Sequence, residues 1–259
     1  MRVVNLASSS KGNCTYVESG DGKILIDVGI SVASVERGLK LLKVDPRDIN
    51  AIVVSHEHTD HIFGVGSFST KYNTPIYANV MQQNILPSKI NINHKNINYF
   101  TTDFAINGLS VFPIELPHDS VSCHGFVVSD GSASMAIVTD CGTMSERIIN
   151  ALASVPLVYL ESNYDEELLM QSRYPYSTKM RIKSNRGHLS NTECAKTIER
   201  LISTGTRQIV LSHISENSNS PTIAYSTCKS YLTSRGIIEG VHVRIDIAKK
   251  IGPSTVFKL

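Results

Sequence analysis

The segment His56-Glu57-His58-Thr59-Asp60-His61 constrains this chain more than any other. It follows directly on Ala51-Ile52-Val53-Val54-Ser55, a short apolar run that reads as a buried strand. Extended backbone turns alternate residues to one side, so His56 and His58 project together. Asp60 and His61 lie past the turn and can face the same point from another direction. Three imidazoles and one carboxylate suit Zn, Mn or Fe(II). A pair of cations takes about six to eight protein ligands, so the hexapeptide is at most part of a two-metal site. A polar surface loop is the plain alternative. Against it, three of the nine histidines fall within these six positions, beside an Asp and directly after an apolar strand.

The 259 residues suffice for one large domain or two small ones, and a hydrophobic fraction of 41% supports a sizeable core. Net charge is +2, so any attraction to nucleic acid must come from a local patch. The five cysteines (14, 123, 141, 194 and 228) are odd in number and lack a C-x-x-C spacing. They read as buried reduced thiols, not as a disulfide framework or a zinc knuckle. No stretch approaches the roughly eighteen apolar residues of a membrane span, and the N-terminus lacks a long apolar core. The expectation is a soluble cytoplasmic protein without a membrane partner.

Strands are predicted at 3–6, 15–18 and 23–28, with a hairpin turn at Gly20-Asp21-Gly22 and a polar turn at 8–13. Val32, Val35, Leu39 and Leu42 recur at helical spacing, which predicts a helix over 32–43. After the 51–55 strand and the metal loop, a helix is expected through Tyr72, then a strand at 75–78. Residues 84–98 read as a loop or short helix, with His94 as a surface residue. Strands follow at 109–115, 126–128, 135–138, 157–160 and 207–211, and at 241–246 and 254–258 in the tail. Helices are expected at 144–153, after Asp165, at 191–202 behind a cap at Ser190 or Asn191, and at 222–235. The mixture, with no repeat or linker, predicts one layered α/β domain over 1–259.

Further candidates stand directly after predicted strands: His118, Asp140 and His213. Strands of one sheet can bring such ends to one edge. His56, His58 and His118 can then form one site, and Asp60, His61 and His213 a second. Asp140 can bridge them, because a carboxylate has two oxygens to share. Asp27 ends the apolar run Ile24-Leu25-Ile26 and reads as a support that orients a ligand.

This order of residues resembles the metallo-β-lactamase superfamily, on Leu25-Ile26-Asp27, His56-x-His58-x-Asp60-His61, His118, Asp140 and His213. The resemblance implies a four-layer αβ/βα sandwich with two divalent ions (Zn, Mn or Fe) at one edge, held by those seven ligands. A finer resemblance, to the YycJ/WalJ-like branch, rests on several blocks. They are Ala7-Ser8-Ser9-Ser10-Lys11-Gly12-Asn13, Glu161-Ser162-Asn163, Arg173-Tyr174-Pro175, Gly187-His188-Leu189-Ser190-Asn191 and Leu211-Ser212-His213-Ile214-Ser215. That branch implies a DNA exonuclease acting 5′ to 3′. Its members usually carry His after E-S-N, where this chain has Tyr164. Whatever contact that His makes is in doubt here.

A substrate is suggested by Arg173, Lys179, Arg181, Lys183 and Arg186, five cations within fourteen positions without an acid, and by Tyr174 and Tyr176. Cations contact phosphates and aromatic rings stack on unpaired bases, although a solvated helix face has the same composition. Lys179 and Arg181 are therefore candidate DNA contacts, as are Ser9, Ser10 and Asn13 in the polar turn. His188 can contact the scissile phosphate or protonate the leaving oxygen. The reading is a two-metal phosphodiesterase in which a water held by both ions attacks phosphorus and Asp60 steers its proton. The alternatives are a hydrolase of a small phosphodiester, thioester or lactam, or, in another class, an iron-binding oxidoreductase or a non-catalytic nucleic-acid-binding module. The residues leave the metal and the oligomeric state open.

Overall fold

A computed structural model describes residues 1–259 apart from the side chain of His94, so the expectation for that residue lies outside the described residues. The first sheet is built from β1 (Arg2–Ala7), β2 (Cys14–Ser19), β3 (Gly22–Ile26), β4 (Ala51–Val53), β5 (Ile76–Asn79) and β6 (Ile97–Phe100). The second holds β7 (Phe104–Ile106), β8 (Leu109–Leu116), β9 (Cys123–Ser129), β10 (Ser134–Val138), β11 (Leu157–Glu161), β12 (Gln208–Ser212) and β13 (Arg244–Ile247). The short β14 (Phe257–Lys258) returns to the first sheet beside β1, so each sheet has seven strands.

Helices α1 (Val32–Leu41), α2 (Thr59–Ile62), α3 (Val65–Tyr72) and α4 (Leu86–Ile90) belong to the first half of the chain. They are followed by α5 (Glu146–Ala151), α6 (Glu166–Gln171), α7 (Tyr176–Lys183), α8 (Asn191–Ser203) and α9 (Pro221–Ser234). The inner faces of the sheets meet: Val17, Ile24 and Val53 from one pack with Val111, Phe126, Ile137 and Tyr159 from the other. Outside the first sheet, Val35 and Leu39 of α1 and Val65 and Phe68 of α3 pack on Leu25 and Ile52. Outside the second, Ile198 and Leu201 of α8 and Cys228 and Leu232 of α9 pack on Val158 and Leu211. This is the expected four-layer sandwich. Each Leu or Ile taken fully out of water contributes roughly 1.5–3 kcal/mol, so three continuous cores dominate its stability.

Local chemistry explains where elements start and stop. Ser190 Oγ accepts from the Glu193 amide, an N-cap that starts α8. The expected single helix through Tyr72 is two helices, broken at Gly64. A Cβ there would stand 2.2 Å from the Ile30 carbonyl, so the chain bends where the two segments touch. Residues 84–98 contain α4 and then the start of β6, and β7 was not expected. Both are edge strands, and β6 presents polar Asn98 and half-buried Tyr99 between its buried ends, which weakens the apolar signal. The basic segment contains α7, and the tail strands are shorter than 241–246 and 254–258. All five cysteines are buried and free. Among the described residues, no helix is long and apolar enough to cross a membrane.

Strand direction decides where the site lies. β3, β4 and β5 are parallel, as are β10, β11, β12 and β13. β8 runs with β10, because both are antiparallel to β9. The C-terminal ends of β3, β4, β8, β10, β11 and β12 therefore gather at one edge of the sandwich.

Candidate metal centre

Six strand ends deliver Asp27, His56, His118, Asp140, Glu161 and His213 to that edge, and α2 carries Asp60 and His61 on its first turn. Asp27, Asp140 and His213 have φ of 58°, 61° and 53°, a conformation disfavoured for residues with a Cβ. Such strain of order 1–3 kcal/mol persists where the surroundings hold a residue for a purpose. Gly29 lets the loop after β3 press against α2, since a Cβ there would lie 1.6 Å from the Asp60 carbonyl.

The donor atoms fall into four linked groups: His56, His58 and His118; Asp60, His61 and His213; His56, His61 and Asp140; and Asp140, Glu161, His188 and His213. Within each group they lie within 4.8 Å of one another. His118 Nε2 is 3.3 Å from His58 Nδ1. Asp60 Oδ2 is 3.5 Å from both His61 Nε2 and His213 Nε2. Asp140 lies between the groups, with Oδ2 3.1 Å from His61 Nε2 and Oδ1 3.7 Å from both His118 Nε2 and His213 Nε2.

Four of the imidazoles are held from behind, which leaves Nε2 free toward the cluster. His61 Nδ1 donates to Asp27 Oδ2 at 2.7 Å, and His213 Nδ1 to Glu161 Oε1 at 2.7 Å. His118 Nδ1 donates to the Gly187 carbonyl at 3.0 Å. His56 Nδ1 meets Ser55 Oγ at 3.0 Å, and that hydroxyl donates to Asp27. This pattern of support fixes imidazole tautomers in metal sites. His56 Nε2 is buried without a hydrogen-bond partner. A buried lone pair is costly to leave unpaired, and a divalent cation satisfies it. The donor set fits divalent cations.

The charges agree with that fit. Burial holds the His56 imidazole well below its usual range, with His61 adding to the effect. His61 and His213 are also buried, yet Asp140, Asp60 and their supporting carboxylates overcome this and raise both, His213 to about 10. Glu161, despite burial, is drawn down to about 2 by His188 and His213.

His188 sits at the mouth, with Nδ1 2.9 Å from Glu161 Oε1 and 3.6 Å from Asp140 Oδ1. Ser9 and Asn13 turn inward: the Ser9 amide donates to Asn13 Oδ1, and Asn13 Nδ2 donates to the Ser9 carbonyl and lies 3.1 Å from His61 Nε2. These two brace the loop, and Ser10 is the exposed member of the three. Lys179 Nζ donates to the Met170 carbonyl, and Arg181 pairs with Asp119 at the rim. Arg186 donates twice to the His118 carbonyl, so the basic segment clasps a donor loop. Tyr164 is a core residue packed with Leu169 and Ile182. Sequence reasoning passed over Glu161, Ser55 and Glu57. Glu57 accepts from the Val121 amide at 2.9 Å and so ties the metal loop to the loop carrying His118. Glu161 carried the same signal as Asp27, an acid closing an apolar strand.

A model described as a beta-lactamase superfamily domain matches residues 23–214. The chain is 30% identical over 245 residues to the exodeoxyribonuclease WalJ of Streptococcus pneumoniae, covering 93% of this chain and 91% of that one. It is 31% identical over 234 residues to the exodeoxyribonuclease YycJ of Bacillus anthracis, covering 89% of each. Among solved structures, the metallo-beta-lactamase fold protein YhfI of Bacillus subtilis superposes with a TM-score of 0.73 at 15% identity, covering 99% of both chains. The short form of human tRNase Z gives 0.65 at 14% identity, over 98% of this chain and 99% of that one. At such identities these two speak for the fold alone.

Proposed function

The chain belongs to the metallo-β-lactamase superfamily, in the branch of the WalJ and YycJ exodeoxyribonucleases, and we propose that it is a divalent-metal-dependent DNA exonuclease acting 5′ to 3′. The observation that carries the reading is the convergence of four linked groups of donors on one sheet edge, with Asp140 shared by two of them. In this reading His56, His58 and His118 hold one ion, Asp60, His61 and His213 hold the other, and Asp140 is shared. Zn, Mn and Fe all suit these donors. Bound there, the cations supply Lewis acidity, which activates a water and neutralises charge on the phosphate oxygens.

The chain's own groups do the rest. Asp60, partly exposed at the mouth, orients the attacking water and steers its proton. His188 is tied at Nδ1 to Glu161, which fixes its tautomer and leaves Nε2 for the leaving oxygen. Although burial opposes it, the Glu161 charge raises the proton affinity of His188, as suits a general acid. Arg173 and Lys183 are exposed on and beside α7 and can meet backbone phosphates, and exposed Tyr176 can stack on a base. Five free thiols fit the reducing cytoplasm.

The test uses duplex DNA labelled at the 5′ or the 3′ end, metal-stripped protein resupplied with Mn or Zn, and a small phosphodiester alongside. Metal-dependent loss of the 5′ label ahead of the 3′ label is the expected result. Hydrolysis of the small ester without attack on DNA would move the substrate class.

A further inference from the structure

A cleft of ≈ 600 Å³ opens directly beside the donor cluster, and Asp60 lines both. Its walls are apolar. Leu41, Phe63 and Ile251, three large side chains that the fold leaves 72%, 63% and 70% exposed, converge on it. Exposed apolar groups scattered singly carry no message, but a recess lined by several of them marks a binding site. Its rim is polar and basic, with Ser10, Lys11 and Arg37. Phe63 caps α2 two residues after His61, so its backbone is fixed relative to the metal donors.

The cleft therefore has Asp60, a candidate metal ligand, at one end, apolar walls beyond it, and at its edge Arg37 and Lys11, the latter paired with Glu216 at 2.9 Å. That sequence of surfaces matches one unpaired nucleotide of a DNA strand. We infer that the cleft receives the unpaired base at the end of the strand, stacked against Phe63, with the adjoining phosphate toward the cation that Asp60 would help to hold. The inference rests on the DNA reading above. Entry in this assignment requires the terminal base to leave its pair and its stack. The enzyme then acts on frayed or single-stranded ends faster than on blunt ones. Ser10, the exposed member of the polar turn, gains a position on the path of the phosphates.

The test pairs a Phe63→Ala variant with oligonucleotides that end in 2-aminopurine or in an abasic nucleotide. Binding is read on Mn-loaded protein with phosphorothioate-protected strands. The wild type should quench 2-aminopurine emission, and Phe63→Ala should lose the quench and bind about tenfold more weakly. With cleavable strands, the abasic end should lower kcat/KM about tenfold for the wild type and have little effect on the variant. Phe63 is exposed, so an unchanged melting temperature is expected and guards against misfolding. Equal quenching by both proteins, or indifference of the wild type to the missing base, overturns the cleft assignment. Failure of the wild type to bind or cut any DNA overturns the DNA reading itself, and the assignment with it.

Discussion

Glu161 Oε1 accepts a hydrogen bond from Nδ1 of His213 at 2.7 Å, and neither side chain is open to solvent. The same oxygen holds His188 at 2.9 Å, and Oε2 takes the amides of Cys141 and Leu189. One buried carboxylate thus sets two imidazoles and two loops. In Glu161→Gln one acceptor becomes a donor facing an imidazole N–H. The expected loss is about 10–100-fold in metal affinity or activity, without unfolding. Calorimetric titration with Mn(II) and initial rates check it, and wild-type values for both would remove Glu161 from the site's support.

The DNA path across α7 makes a separate prediction. Lys183→Ala should weaken DNA binding and lower the slope of log K against log salt by about one, because one phosphate contact is lost. Mn(II) affinity should not change. A salt slope equal to the wild type's would return α7 to the status of a solvated face.

Asp130 gives a pH-dependent stability effect remote from the site. Its carboxylate accepts from Ser19 Oγ, the Ser132 hydroxyl and the amides of Ser132 and Ala133, and these hold it well below the usual carboxylate range. A depressed folded value stabilises above the unfolded value, about 3.9, and the gain is lost as pH falls toward the folded one. Asp130→Asn should therefore melt below the wild type at pH 7, and the two curves should converge as pH drops below about 4. A gap independent of pH would contradict this.

The thiols should be inert. Burial, with the Glu161 charge adding to it, pushes Cys141 up to about 12, and burial raises Cys14, Cys123 and Cys194 as well. A thiol reagent at pH 8 is expected to label none of the five in the native protein and all five in denaturant. Rapid labelling of the folded protein would show a more open core.

The site was legible where it coincided with the ends of buried parallel strands. Ala51–Val53 and Ile209-Val210-Leu211 are continuous apolar runs, so the histidines that follow them stand out. β6 and β7 were not, because an edge strand buries less and tolerates polar residues such as Asn98. Roles that depend on contacts distant in sequence were hidden as well. Ser9 and Asn13 look like phosphate donors in a polar turn, yet they bond to each other, and Asn13 also to α2. Arg181 and Arg186 read as free cations, yet they reach Asp119 and the His118 carbonyl across more than sixty residues of chain. The cleft beside Phe63 arises only when the polar turn, α1 and the 251–253 loop are brought together.

The central claim is that the shared donor cluster runs DNA hydrolysis, and Asp140 is its midpoint. The most direct measurement is nucleotide release from duplex DNA against added Mn(II), for metal-stripped wild type and Asp140→Asn, with bound metal counted in each. The wild type should be silent without metal and gain activity as it binds about two ions per chain. Asp140→Asn should bind fewer ions and release nucleotides at least about a hundredfold more slowly. Undiminished release by Asp140→Asn, or by wild type with its metal removed, would contradict the account.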